Sequence, residues 1–131
     1  MVSRAKLIAE LLEQGIRCTP DDIIRIVKLP YGKIVFLETG NAKAGLQHIL
    51  KQHADDFANQ GIPAAQIPGA IMAAITTGQI VGYQGEGETP RPIYQTTFLD
   101  KIYYISITVS INGFIVGANP ISQPPFKQAN P

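Results

Sequence analysis

A chain of 131 residues, 45% of them hydrophobic, has the size of one domain and buries roughly two thirds of its unfolded surface on folding. Eleven Lys and Arg against ten Asp and Glu leave a net charge of +1, balanced within each half, so no global field draws the chain onto nucleic acid or membrane and neither half is a charged arm. The single cysteine, Cys18, excludes an internal disulfide framework and a cysteine-ligated zinc cluster, and no apolar run approaches the ~18 residues that span a bilayer.

Met1 to Gly15 carries charges where a signal peptide has its apolar core, and the reading is a soluble domain whose targeting segment, if any, lies in a larger protein. Leu7, Ile8, Leu11 and Leu12 form a helical stripe over Ser3 to Gln14, and Gly15 is placed to end it. Thr19-Pro20-Asp21-Asp22 reads as a helix cap, but the β-branched run Ile23 to Val27 reads equally as a strand, and both stay open. Tyr31-Gly32 is a turn, Lys33 to Glu38 a strand, and Thr39-Gly40-Asn41 breaks it.

From Ala42 to Asn59 the pattern is helical, with Leu46, Ile49, Leu50, His53 and Phe57 on one stripe at about 100° per residue. His53 therefore faces the core side, and His48 falls nearly opposite, beside Gln47, Lys51 and Asp55. A second helix runs from Pro68 to Thr77, buries Ile67, Ile71, Ala74 and Ile75, and stops at Gly78; Gln84 to Pro90 is a loop.

Lys101 to Ile111 alternates strictly. Tyr103, Ile105, Ile107, Val109 and Ile111 point to a core, and Tyr104, Ser106, Thr108 and Ser110 point to a polar face. Asn112-Gly113 predicts a two-residue type I′ hairpin, which pairs Ile111 with Phe114, Ser110 with Ile115, Thr108 with Gly117 and Ser106 with Asn119. A second two-residue turn at Leu99-Asp100 puts Thr97, Gln95, Ile93 and Arg91 on the polar face, with Arg91 opposite Thr108. Ile121 to Pro131 reads as a proline-rich tail.

RNA is cleaved without metal or cofactor when its 2′-hydroxyl attacks the adjacent phosphate, given a base, an acid and donors on the phosphate. His48 and His53 are the groups with unperturbed pKa near neutrality, Arg91 offers a fork that fits phosphate oxygens, and Thr108 and Ser110 supply hydroxyls. Lys51, beside His48, and Gln95, Tyr104 and Asn119 on the sheet are the candidate substrate contacts. Taken singly, each has an ordinary account as a core histidine, a solvated face or the wet side of a sheet.

The segments Gly32-Lys33-Ile34-Val35-Phe36-Leu37-Glu38, Gly40-Asn41-x-x-Ala44-Gly45-Leu46-Gln47-His48-Ile49-x-x-x-His53, Asp56-Phe57-Ala58, Ile80-Val81-Gly82-Tyr83-Gln84-Gly85, Arg91-Pro92-Ile93-Tyr94 and Asn112-Gly113-Phe114-Ile115-Val116-Gly117-Ala118-Asn119-Pro120 occur in that order. This order closely resembles the C-terminal toxin domains of bacterial polymorphic and contact-dependent growth inhibition systems, the barnase–EndoU–colicin–RelE-like nucleases. The likeness covers about Lys33 to Pro120.

The resemblance implies a small α+β fold, with N-terminal helices packed on a twisted antiparallel sheet, in a single nuclease domain over residues 1–120 with its core at 31–120. It implies a metal-independent endoribonuclease that cuts RNA, often tRNA. Such a toxin is delivered to a neighbouring cell as part of a larger secreted or cell-surface protein, acts in that cell's cytoplasm, and is held in check by a cognate immunity protein; a host protein can activate it. The family's helix histidine falls on His48 with His53 as second partner, its strand arginine on Arg91, and its hydroxyl strand on Thr108 and Ser110. Two other readings share the fold: a non-catalytic interaction module and a nucleotide-transferring toxin. One conflict accompanies the resemblance. If the Leu46–Phe57 stripe packs on the apolar sheet face, the helix must sit at a sheet edge to bring a histidine to Thr108, or the catalytic face is the apolar one.

Overall fold

A computed structural model describes residues 3–85 and 90–122. The protein is α+β: the described residues form three helices, a two-stranded antiparallel sheet, and a four-stranded antiparallel sheet in the order β3-β4-β5-β6. Helix α1 spans Arg4–Glu13; Ser3 caps it by accepting from the Lys6 N–H at 3.2 Å, and Gly15, at φ +75°, turns the chain out. Its Leu7 and Leu11 are buried, whereas Leu12, expected on the stripe, is 54% exposed.

A single 3₁₀ turn at Pro20–Asp22 leads into β1, Ile23–Lys28, so both readings of this stretch hold in succession: the proline and acids make the turn and the β-branched run makes the strand. Strand β2, Ile34–Glu38, pairs antiparallel with β1 and is buried along its whole length. Its alternation explains why. Ile34 and Phe36 join Leu7, Leu11 and Ile23 in a small core under α1, while Val35 and Leu37 face the main core on the other side.

Helix α2 begins at Leu46, four residues later than the apolar periodicity predicts, and ends at Asn59 as expected. Helix α3, Ile67–Thr77, buries Ile67, Ile71 and Ala74 as expected and leaves Ile75 partly buried. Strand β3, Gln79–Gln84, was not legible as a strand, because its polar ends and Gly82 break the alternation, and the pairing with β4 is itself irregular between Ile80 and Gly82. The predicted loop from Gln84 to Pro90 lies mostly outside the described residues.

Strands β4, Arg91–Phe98, and β5, Lys101–Val109, are joined by Leu99 and Asp100 at φ +51° and +65°, the two-residue turn expected, with Thr97↔Ile102, Gln95↔Tyr104 and Ile93↔Ser106 in the expected register. The next hairpin differs. Asn112 does not share the positive φ of Gly113. The Gly113 N–H donates to Ser110 O at 2.9 Å and the Ser110 N–H to Phe114 O at 2.8 Å, which closes a three-residue loop with a glycine bulge in place of the type I′ turn.

Ile111, predicted to be core, is therefore at the loop tip and 92% exposed. Val109 rather than Ser110 pairs with Ile115 in β6, Ile115–Ile121, and the shift between Thr108 and Val109 leaves Val116 unpaired. Ile115 and Ala118, three positions apart, both reach the main core because of this bulge, and the pairs Thr108↔Gly117 and Ser106↔Asn119 are those the sequence predicts. β6 runs through Ile121, one residue into the expected tail; the tail from residue 123 onward lies outside the described residues. The two sheets meet at Phe36 and Phe114, where the Phe36 N–H donates to Gly113 O at 2.9 Å and the rings stack edge to face at 5.7 Å.

Candidate active site

α2 packs chiefly against β6, an edge strand of the larger sheet, and this sets where its histidines lie relative to the sheet. The helix is preceded by a tight loop over residues 40–45 that replaces the first turn expected from the sequence. Gly40 and Gly45 take φ +70° and +89°, and a Cβ on Gly40 would stand 2.1 Å from Ala44 O, so the loop closes only around glycine. The Asn41 side-chain oxygen accepts from the N–H groups of Lys43 at 2.8 Å and Ala44 at 3.2 Å, and the Gly45 N–H docks the loop on Val116 O at 3.0 Å, at the β6 bulge.

The loop presents the Ala42 carbonyl to His48, whose Nδ1 lies 2.9 Å from it. A carbonyl oxygen only accepts, so Nδ1 carries the proton and Nε2 of the neutral ring is the free acceptor. That free edge lies over Gly117: a Cβ there would be 3.6 Å from His48 Cδ2 and 3.7 Å from Nε2. His48, expected on the solvent side of its helix, is thus half-buried on the sheet edge.

Gly117 pairs with Thr108. His48, Gly117 and Thr108 therefore lie side by side on the polar face, and Arg91 stands two residues past the last β4–β5 pair, Ile93↔Ser106, on the same side of its strand. Adjacent strands are about 4.8 Å apart, so Thr108 and Gly117 are immediate neighbours across β5 and β6. Arg91 is exposed and donates to Gln84 Oε1 at 3.3 Å. Asn119 and Ser106 form the next row, where Ser106 is fully buried, contrary to a face expected to be wet, and its hydroxyl has no partner among the described residues. Gln95 and Tyr104 pair in the row after that.

Other expected residues stand apart. His53 is five residues beyond His48, about 140° round the helix. Its Nδ1 sits 2.8 Å from Asp56 Oδ2, with side-chain exposures of 34% and 57%, so it lies at the rim of the stripe instead of in the core. Ser110 lies past the end of β5; its hydroxyl accepts from the Phe114 N–H at 3.2 Å, which makes it part of the hairpin closure. Lys51 is exposed on α2 one turn beyond His48. Among the described residues no cluster of His, Cys, Asp and Glu is arranged to hold a metal ion.

Three contributors escaped the sequence reading: the Ala42 carbonyl, the bare backbone of Gly117, and Lys33, whose Nζ reaches Ser110 O at 3.4 Å at the hairpin end of the face. Signals existed for two of them, since Gly40-Asn41 with Gly45 is turn chemistry and a glycine inside a strand marks a close approach. No protein-family model matches the chain, and no curated protein matches its sequence significantly.

Proposed function

We propose that this domain is an endoribonuclease that uses the 2′-hydroxyl of its substrate as nucleophile. The observation that carries the reading is the imidazole of His48 over Gly117, the partner of Thr108, on the sheet face to which the alternation of β4 also assigns Arg91. His48 Nε2 takes the proton of the attacking 2′-hydroxyl. Arg91 holds the non-bridging phosphate oxygens as charge develops on them, and the Thr108 hydroxyl between the two donates to the same oxygens. The 2′-oxygen bonds to phosphorus, the bond to the 5′-oxygen breaks, and that oxygen leaves with a proton from solvent, because His53 is turned away from the site.

The products are a 2′,3′-cyclic phosphate and a 5′-hydroxyl, and the step calls on no metal. Lys33, at the hairpin end, and Lys51, exposed on α2 one turn beyond His48, are further cations, while Asn119, Gln95 and Tyr104 extend the face along the strands. The wider setting belongs to the same proposal: a toxin domain delivered into a competing cell, acting on RNA there, tRNA foremost, and neutralised at home by an immunity protein. The test is incubation of the purified domain with total RNA, with and without EDTA, followed by analysis of the fragment ends. Discrete EDTA-resistant cuts ending in 2′,3′-cyclic phosphate support the reading; intact RNA, or cuts lost with EDTA, overturns it.

A further inference from the structure

At the edge of the larger sheet away from His48, a cleft of about 550 Å³ opens between the β1–β2 turn and the junction of α3 with β3. Leu29 and Ile75 give it an apolar lining, Tyr31 and Tyr94 contribute aromatic rings, and Thr76 and Gln79 supply a hydroxyl and an amide. No charged residue is among those that line it, so the cleft suits a flat, neutral, hydrogen-bonding ring better than a phosphate or an ion.

A third phenol is close by. Burial, then the neighbouring phenols of Tyr31 and Tyr83, raise the Tyr94 hydroxyl above its ordinary pKa. Tyr31 is 75% exposed and Tyr83 44%, large aromatic surfaces that the fold itself does not cover. Tyr83 pairs with Pro92, the residue after Arg91, so Tyr83 and Tyr94 lie on the sheet face opposite Arg91, and the path from Arg91 to the tyrosines crosses the β3 edge.

The geometry points to a nucleobase-stacking cleft: Tyr31 and Tyr94 hold a base of single-stranded RNA on the Arg91 side of the cleaved bond, and the exposed Tyr83 lies on the approach to it from Arg91. This rests on the ribonuclease reading and names how its substrate is held. An unpaired strand lying across the polar face leaves past Arg91 over the β3 edge, where a splayed base finds aromatic faces, as single-stranded RNA is generally gripped. Duplex RNA, whose bases are stacked and paired, offers the cleft nothing. The site therefore selects loops and unpaired ends.

The probe is a short single-stranded 2′-O-methyl RNA, which lacks the attacking hydroxyl and so binds uncut, followed by fluorescence anisotropy with the wild type, Tyr31→Ala, Tyr31→Phe and Tyr83→Ala. Truncation to alanine is expected to weaken binding about tenfold and Tyr31→Phe to preserve it. The chain has five tyrosines and no tryptophan, so adenosine titrated into the wild type is expected to quench tyrosine emission, and less so in Tyr31→Ala. Unchanged affinity in both alanine variants, while the wild type still cuts RNA, overturns the cleft and leaves the ribonuclease standing. Tyrosine-dependent binding of the strand without any cutting of unmodified RNA upholds the cleft and removes the ribonuclease. Alanine variants that lose only a protein partner and keep RNA affinity overturn the nucleobase assignment. Circular dichroism melts of each variant confirm the fold, and Tyr31 is exposed enough that its truncation leaves both cores intact.

Discussion

The Nδ1 of His48 and the carbonyl of Ala42 lie 2.9 Å apart, and this one bond decides which imidazole nitrogen looks out over Gly117. It is local in sequence yet depends on a loop that only glycine at positions 40 and 45 can close.

Removing the imidazole tests its role directly. His48→Ala is expected to lower the rate of RNA cleavage by about 10²–10⁴-fold, the usual contribution of a general base. Loss of its one hydrogen bond costs only about 1 kcal/mol of stability. His53→Ala is expected to leave the rate within a few-fold, since its partner Asp56 is more than half exposed and the pair faces away from the site. Single-turnover cleavage of a fixed RNA, alongside chemical denaturation, checks both variants.

Gly117 makes a graded prediction. Alanine meets His48 at ordinary van der Waals distance, 3.6 Å, so Gly117→Ala should cut RNA nearly as well as the wild type. Gly117→Val is a comfortable strand residue but pushes the ring aside, and displacement of a catalytic group by about 1 Å costs on the order of 10²-fold in rate. A valine variant with full activity would remove His48 from the chemistry.

Asn41 acts at one remove. Asn41→Ala deletes two backbone contacts of the loop, those to Lys43 and Ala44, and frees the Ala42 carbonyl to move. The imidazole ¹⁵N spectrum is the readout: the wild type is expected to show His48 with its proton on Nδ1, and the variant a shift toward the tautomer common in solution, with a parallel fall in cleavage.

Gly113 is the joint of the two sheets. At φ +94°, with an added Cβ only 2.0 Å from Ile34 O, Gly113→Ala is strained twice over and is expected to cost more than about 2 kcal/mol. A drop in the urea midpoint measures it. Gly32→Ala, also at positive φ but with open space around it, serves as the milder comparison.

Cys18 is a quiet thiol. Burial, and after it the nearby Glu38 carboxylate, raise its pKa above the ordinary cysteine value, so less thiolate exists at any given pH. Alkylation by iodoacetamide near pH 8 should run slower in the folded protein than in the denatured one, and the gap should narrow as pH rises past the raised pKa.

Much of the fold was legible because its signals are local. Strict alternation located β5, Leu99-Asp100 set the β4 register, and apolar periodicity placed α1, α2 and α3 within a few residues. The failures have physical causes. Ser110 bonds its own hairpin backbone and Val116 drops out of the ladder, so the Asn112-Gly113 signal yielded to a bulge that brings Ile115 and Ala118 to the same core. His48 was read as solvated because a helix projection carries no knowledge of a sheet edge beside it. The site itself was half visible: Thr108 and Gly117 follow from strand pairing and Arg91 from the alternation of β4, but the imidazole joins them only through the loop that turns α2 onto β6.

Strand β2 has a consequence for where the chain can be cut. Because its two faces belong to two different cores, it works as a shared wall. A fragment beginning at residue 31 keeps that wall but takes away what stands on one side of it, turning Ile34 and Phe36 out to water. Phe36 is also the residue through which β2 grips the hairpin of β5 and β6, so damage beneath α1 reaches the strand on which Gly117 sits. The first thirty residues carry none of the proposed chemistry, and the alignment of that chemistry still rests on them.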